Sequence, residues 1–259
     1  MSKLYLIGAG PGDPELLTVK AVRLLKECDV VLYDRLVSAK VLLLARPDAE
    51  RIYVGKHEGE QEITQQKIFD LILHHTRAGK IVGRLKGGDP LVFGRGAEEW
   101  ALALEHGIEV ELAPGVSSAI AVPGLANIPL TYRGVSRSFA IATAHCQEDR
   151  EQRWKSYVHV DTLVVLMSVK NREFVARSLI AAGRRDDEPV AFIERGTLPD
   201  EKVIESTLGA VAAGNVDAAS PAVFVIGEVV RLRERLAKSP RTAGLPRVPE
   251  VPSWGGSAR

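Results

Sequence analysis

The sequence predicts an α/β fold of two successive units, each a mixed or parallel sheet flanked by helices. Short Val-, Ile- and Leu-rich runs alternate with helix-length patterns, as expected of strands joined by helical crossovers. The alternation stops once, at the proline- and glycine-rich stretch from Pro114 to Arg137, and then resumes. With 259 residues, 46% hydrophobic and 26% charged, the chain has the length and composition to bury two cores.

The first strand is expected over Lys3–Ile7, an apolar run that breaks into Gly8-Ala9-Gly10-Pro11-Gly12. A helical pattern covers Glu15–Glu27, and the apolar run Val30–Tyr33 supplies the second strand. Ser38–Arg46 reads as a helix, Arg51–Val54 as a strand and Thr64–Ala78 as a helix. Ile81–Leu85 is a strand ending near paired glycines, Ala97–His106 a helix, and Glu109–Leu112 a strand before Pro114. Residues 114–137 read as a helix plus irregular connection. The second unit places strands at Phe139–Thr143, Thr162–Met167, Val190–Ile193, Lys202–Glu205 and Ala222–Val229. Its helices are expected at Glu173–Ala182 and Leu208–Ala213. Domains therefore fall over 1–113 and 138–238, with a connection over 114–137. The composition of 239–259, with Pro240, Pro246, Pro249 and Pro252, makes no core and reads as a flexible tail.

A net charge of +1 gives no whole-molecule pull toward nucleic acid or a membrane surface. No apolar run approaches the roughly 18 residues of a bilayer span. Neither partner is expected. No charged-then-apolar leader precedes the first strand, so a cytoplasmic protein with no module fused ahead of it is expected. Cys28 follows an apolar helical pattern and reads as packing, while a disulfide to Cys146 stays open. No histidine or cysteine spacing suggests a metal site, and neither G-x-S-x-G nor G-x-x-x-x-G-K-[ST] occurs.

The most informative stretch is Arg84-Leu85-Lys86-Gly87-Gly88-Asp89-Pro90-Leu91-Val92-Phe93-Gly94-Arg95-Gly96. A surface turn needs one glycine or two. A strand end with this many lets a ligand approach the main chain without a Cβ in the way. The Gly8–Asp13 turn suits a dinucleotide fold, but Asp13 stands at the sixth-position glycine and Pro11 removes an N–H donor. A nucleotide-fold methyltransferase would use a similar turn, so that motif alone does not decide. Asp34 follows an apolar run at the strand edge where ligands of open α/β sheets collect. It reads as a site residue, as a partner of Arg35, or as a cap of the next helix.

These motifs together resemble the tetrapyrrole methylase family, which uses S-adenosylmethionine. The likeness is carried in order by Leu6–Pro14 with Leu16-Leu17-Thr18, Val31–Val37, Val54-Gly55-Lys56, the Arg84–Gly96 run, Ala113–Ala119 and Ile128-Pro129-Leu130-Thr131. It implies a two-domain tetrapyrrole methylase-like fold, a homodimer, and a cofactor in the cleft between domains. The cofactor neighbours it implies are Pro11, Gly87, Gly88, Asp89, Val92, Ser117, Ser118, Met167, Gly196 and Ala222. It implies Asp34 as general base and Lys56 as proton donor or anion contact. Read alone, Met167 serves equally as a strand-end core residue, and a strand-end lysine as a solvated one.

The activity implied is C-methylation of uroporphyrinogen III at carbons 2 and 7 to precorrin-2, on the way to sirohaem or cobalamin, releasing S-adenosyl-L-homocysteine. The alternative is a precorrin methylated at another ring carbon. A carboxylate-rich substrate asks for cations, and Arg35, Lys56, Arg84, Lys86, Arg95, Arg133 and Arg137 lie in or beside the motifs. Surface ion pairing explains such residues equally well. Tyr132, His57, Ala144, Leu166 and Phe69 depart from the usual family residues in loops that face substrate, which bears on regiospecificity rather than reaction class. The rivals from another class are a nicotinamide-dependent enzyme and a catalytically silent binding protein.

Overall fold

The computed structural model describes residues 3–55, 65–144 and 152–237. Lys56, His57, His145, Cys146 and the tail over 239–259 lie outside the described residues. Among the described residues, ten strands form two five-stranded sheets.

The first sheet takes β1 (Lys3–Gly8), β2 (Val30–Tyr33), β3 (Glu50–Tyr53), β4 (Ile81–Lys86) and β5 (Glu109–Ala113), in the order β3-β2-β4-β1-β5. Every pairing is parallel. Helices α1 (Val19–Glu27), α2 (Ala39–Leu42), α3 (Gln65–Arg77) and α4 (Gly96–Glu105) make the crossovers. Successive strand residues face opposite helix layers. Leu4, Leu6, Val30, Leu32 and Val82 pack with Ile68, Ile72 and Ala103 of α3 and α4. Tyr5, Ile7, Val31 and Leu85 pack with Ala21, Leu24, Leu25 and Val41 of α1 and α2. Both faces are covered, which is why these strands read as continuous apolar runs. Arg84 and Lys86 share the face of Val82, so the same alternation drives two cations under α4.

Between the sheets runs α5 (Ser118–Leu125). The second sheet takes β6 (Phe139–Thr143), β7 (Thr162–Leu166), β8 (Pro189–Glu194), β9 (Lys202–Thr207) and β10 (Ala222–Ile226), in the order β6-β7-β10-β8-β9. Only β6 and β7 pair in parallel, so this sheet is mixed. Helices α6 (Gln152–Lys155), α7 (Arg172–Ala181) and α8 (Leu208–Ala212) cover one face, over a core that includes Phe192 and Phe224. Those two are register partners, stacked with centroids 4.1 Å apart. The other face is covered by Ala119 and Val122 of α5 with Val229 and Val230. A last helix, α9, spans Leu232–Ala237.

Several boundaries differ from the sequence reading, three of them where the backbone changes direction at the pocket or sheet end. The helix expected over Glu15–Glu27 is split: Pro14–Leu16 forms a single 3₁₀ turn, and α1 starts afresh where Thr18 Oγ1 accepts from Ala21 N at 3.1 Å. The strand expected to Met167 ends at Leu166, because Met167 turns left-handed at φ 54°. The strand expected over Ala222–Val229 stops at Ile226, because Gly227 leaves extended geometry at φ 142°. Strand β10 is also the middle strand of its sheet, so it offers no edge to a second copy. No helix among the described residues is long and apolar enough to cross a membrane.

Candidate active site

The carboxyl ends of β1, β2 and β4 open toward the ends of β7 and β8 and the start of β10. Between them lies a pocket of about 510 Å³, in the size range of small-molecule sites. Parallel strands must deliver their ligands at this edge, since their crossovers leave a crevice there.

Close main-chain approach makes the floor. Gly88 N donates to Gly10 O at 2.7 Å, and Gly10 N returns a bond to Gly88 O at 3.2 Å, clamping two motif loops together. A Cβ on Gly115 would stand 2.1 Å from Gly88 O and 2.7 Å from Gly8 Cα, so three backbones meet where no side chain fits. Asp89 locks the corner: Oδ1 accepts from Leu91 N at 2.8 Å and Oδ2 from Gly115 N at 3.0 Å. Each oxygen keeps a further lone pair for a ligand donor. Ser117 caps α5 through Ala119 N at 3.3 Å, bringing Ser117 and Ser118 to the pocket wall.

The opposite wall comes from Leu166, Met167, Arg195, Gly196, Leu198 and Ala222. Gly196 has no room for a side chain, since a Cβ there would meet Val122 Cγ1 at 2.3 Å. The two walls are tied directly by Asp13 N, which donates to Thr197 Oγ1. Apart from Asn127, the left-handed non-glycine residues among those described all sit in these loops: Phe93, Arg95, Met167, Arg195 and Thr197. Backbone strain of this kind costs of order 1–3 kcal/mol per residue and gathers where surrounding structure holds a site in shape.

Beneath the pocket lies a charged cluster. Lys86 Nζ donates to Glu99 Oε1 at 2.8 Å and Arg84 Nε to the same oxygen at 3.2 Å, all three residues being buried. Arg84 Nη2 stands 3.7 Å from Asp34 Oδ2. Asp34 Oδ1 accepts from Leu36 N at 3.0 Å, which fixes the carboxylate over the strand end. Burial pushes the Lys86 ammonium below its ordinary range, Arg84 pushes it further, and Glu99 opposes both.

All ten expected cofactor neighbours line this one pocket, and so does Asp34. Of the expected cations, Arg35, Arg84, Lys86 and Arg95 line it, whereas Arg133 and Arg137 are exposed and outside the lining. Arg84 and Lys86 arrive already paired with Glu99, so neither is a free surface cation. Among the departures from the usual family residues, Leu166 lines the pocket. Ala144 sits nearby, donating to Leu166 O and accepting from Asn171 Nδ2, both at 3.0 Å. Glu99, Gln65, Arg195 and Leu198 were not singled out in the sequence. The available signal for Glu99 was two cations at alternate positions of one apolar strand, a pattern that demands a buried acid. Among the described residues no group of three or more His, Cys, Asp or Glu is placed to hold a metal ion.

Known proteins share this architecture. The family model for tetrapyrrole (corrin/porphyrin) methylases matches residues 3–212. A uroporphyrinogen-III C-methyltransferase of Methanocaldococcus jannaschii is 45% identical over 235 residues, covering 89% of this chain and 97% of that protein. A siroheme synthase of Saccharophagus degradans is 47% identical over 238 residues, and there the chain spans only 52% of its relative's length. The crystal structure of uroporphyrin-III C-methyl transferase from Thermus thermophilus, complexed with S-adenyl homocysteine, matches with a TM-score of 0.79 at 46% identity, covering 89% of this chain and 94% of that one. The family match over residues 3–212, the 45%-identical relative and the structural match agree, and the chain belongs to the tetrapyrrole (corrin/porphyrin) methylase family.

Proposed function

We propose that the chain methylates uroporphyrinogen III at carbons 2 and 7, giving precorrin-2, with S-adenosyl-L-methionine as methyl donor. The observation that carries this reading is convergence: residues from Pro11 to Ala222, chosen from separate motifs, line one pocket at the sheet edge. The pocket fits the donor in kind. Glycine backbones that admit no Cβ, a carboxylate at Asp89, the capped start of α5 and the soft thioether of Met167 suit a polar, zwitterionic nucleoside with a sulfonium centre. When bound, S-adenosylmethionine supplies an electrophilic methyl group.

The chain's own task is alignment and proton handling. Pro11, Gly87, Gly88, Asp89, Val92, Ser117, Ser118, Met167, Gly196 and Ala222 hold the donor. Asp34 Oδ2 takes the proton that the macrocycle releases from a position adjacent to the methylated ring, since the methylated carbon already bears a side chain and has no hydrogen to lose. The carboxylate is oriented by its turn to Leu36 N and by Arg84. The same reading assigns Lys56 as proton donor or anion contact. Arg35 and Arg95, both exposed at the pocket rim, are assigned to substrate carboxylates, Arg95 in exchange for its surface pair with Glu98.

We assign 1–113 and 138–238 as the two domains, since each sheet draws its strands from one of those ranges, with 114–137 connecting them. The same reading takes the protein as a cytoplasmic homodimer without nucleic-acid or membrane partners. Ile120, Leu125, Val135 and Phe139 are exposed apolar side chains that support a contact between copies. Light scattering should return a dimer, and should do so again for a variant ending at Lys238. Titration calorimetry tests the donor: S-adenosylhomocysteine should bind and NAD(H) should not. Affinity for NAD(H) alone would overturn the reading in favour of a nicotinamide enzyme.

A further inference from the structure

Glu99 is wholly buried on α4, yet it touches the pocket only through other side chains. Its Oε1 gathers Lys86 Nζ at 2.8 Å, Arg84 Nε at 3.2 Å and Gln65 Nε2 at 3.3 Å. Its Oε2 has no hydrogen-bond partner among the described residues. Arg84 then reaches outward, with Nη1 on Leu85 O at 3.1 Å and Nη2 3.7 Å from Asp34 Oδ2. One guanidinium is thus shared between a hidden carboxylate and a pocket carboxylate. The formal charges of Asp34, Glu99, Arg84 and Lys86 sum to zero.

Stability does not call for this arrangement. Burying a carboxylate is costly even when paired, and well-packed apolar residues of similar volume do as well or better. The neighbouring positions Ala103 and Val82 show that this layer accepts apolar contacts. The group that gains from the cluster is Asp34. Glu99 Oε1 holds Arg84 Nε at 3.2 Å, while Arg84 Nη2 stays 3.7 Å from Asp34 Oδ2. Without that partner, Asp34 becomes the nearest anion for Arg84, and closing the 3.7 Å gap would draw the carboxylate out of the pose set by Leu36 N.

We infer that Glu99 is a positioning residue for methyl transfer, acting through Arg84 to set the placement of Asp34. The inference rests on the reading of Asp34 as proton acceptor, and the test separates the two. Glu99→Gln keeps the shape and removes the charge. It should be made alone and in the Asp34→Asn background, then assayed for methyl transfer from labelled S-adenosylmethionine to uroporphyrinogen III. Melting temperature and S-adenosylhomocysteine affinity should be measured alongside.

Alone, the substitution should lower kcat about 10–10²-fold, the scale of a misplaced reacting group. KM and S-adenosylhomocysteine affinity should stay within about twofold. In the Asp34→Asn background it should change kcat by no more than about twofold, because the group it acts through is already gone. An equal loss in both backgrounds, or no loss in either, would overturn the inference. Wild-type turnover by Asp34→Asn alone would overturn the reading of Asp34 and this inference with it. If Glu99→Gln fails to fold, Arg84→Lys carries the same cycle: it keeps the charge and loses the fork between the two carboxylates. A loss that vanishes without Asp34 supports the inference, and a loss that persists overturns it.

Discussion

The backbone N–H of Asp13 donates to Thr197 Oγ1 at 3.2 Å, joining two loops 184 positions apart across the mouth of the pocket. Thr197 holds that pose at φ 73°, with its own N–H on Glu201 Oε2 at 2.9 Å. A β-branched residue in the left-handed region is costly, so the surrounding contacts must over-determine it. Thr197→Val keeps the branching and strain but removes the acceptor. A hydrogen bond of this kind is worth about 0.5–1.5 kcal/mol. S-adenosylhomocysteine affinity should fall by up to about 2–12-fold by calorimetry, and the melting temperature should fall by about 1–6 °C. Unchanged affinity would mean that the walls are held without this bond.

Asp34→Asn preserves size and the turn to Leu36 N while removing the charge proposed to accept the proton. Turnover on uroporphyrinogen III should drop about 10²–10⁴-fold, the usual contribution of a general base. Donor affinity should hold, because the residues assigned to the donor are others. Early melting together with lost S-adenosylhomocysteine binding would instead make Asp34 a purely structural partner of Arg84.

Gly115→Ala should destabilise the chain outright. Its Cβ would press on Gly88 O and Gly8 Cα, backbone atoms that cannot swing away. Overpacking of this sort costs about 1–3 kcal/mol, so the melting temperature should fall by several degrees and donor binding should weaken with it. A melting temperature equal to wild type would show that the three strand ends are looser than their packing implies.

Cys28 is buried, with its thiol donating to Leu24 O at 3.2 Å. Desolvation first, and then the charges of Glu27 and Asp29, push it up to about 12. Because folding raises this group, its contribution is full below the ordinary thiol range and is lost as pH climbs from there toward about 12. Peptide mapping after iodoacetamide treatment at pH 8 should find Cys28 unmodified in native protein and modified after denaturation. Ready labelling of native protein would contradict the packing described.

Much of this was legible in the sequence, for local reasons. Strands such as Val30–Tyr33 matched because continuous apolar runs flanked by turn residues have few alternatives in a covered parallel sheet. The glycine-rich motifs pointed to the pocket because so many permissive residues at strand ends are expensive without a ligand. What stayed hidden depended on three-dimensional phase. Glu98 and Glu99 look alike in sequence, and only the rotation of α4 over β4 buries the second against Arg84 and Lys86. Thr197 carries no turn signature, since its strained backbone is imposed from across the pocket by Asp13 and from its own loop by Glu201. The short helix α2 ended at Leu42 although its apolar pattern continued to Arg46, because turns take over the next hydrogen bonds.

The most direct test is to incubate the purified protein with S-adenosylmethionine carrying a labelled methyl group and with uroporphyrinogen III, then locate the label in the product. The proposed function predicts labelled methyls at ring carbons 2 and 7, with S-adenosylhomocysteine released in equal amount. Labelled methyl at a different ring carbon, or none on the tetrapyrrole at all, would contradict the proposed reaction.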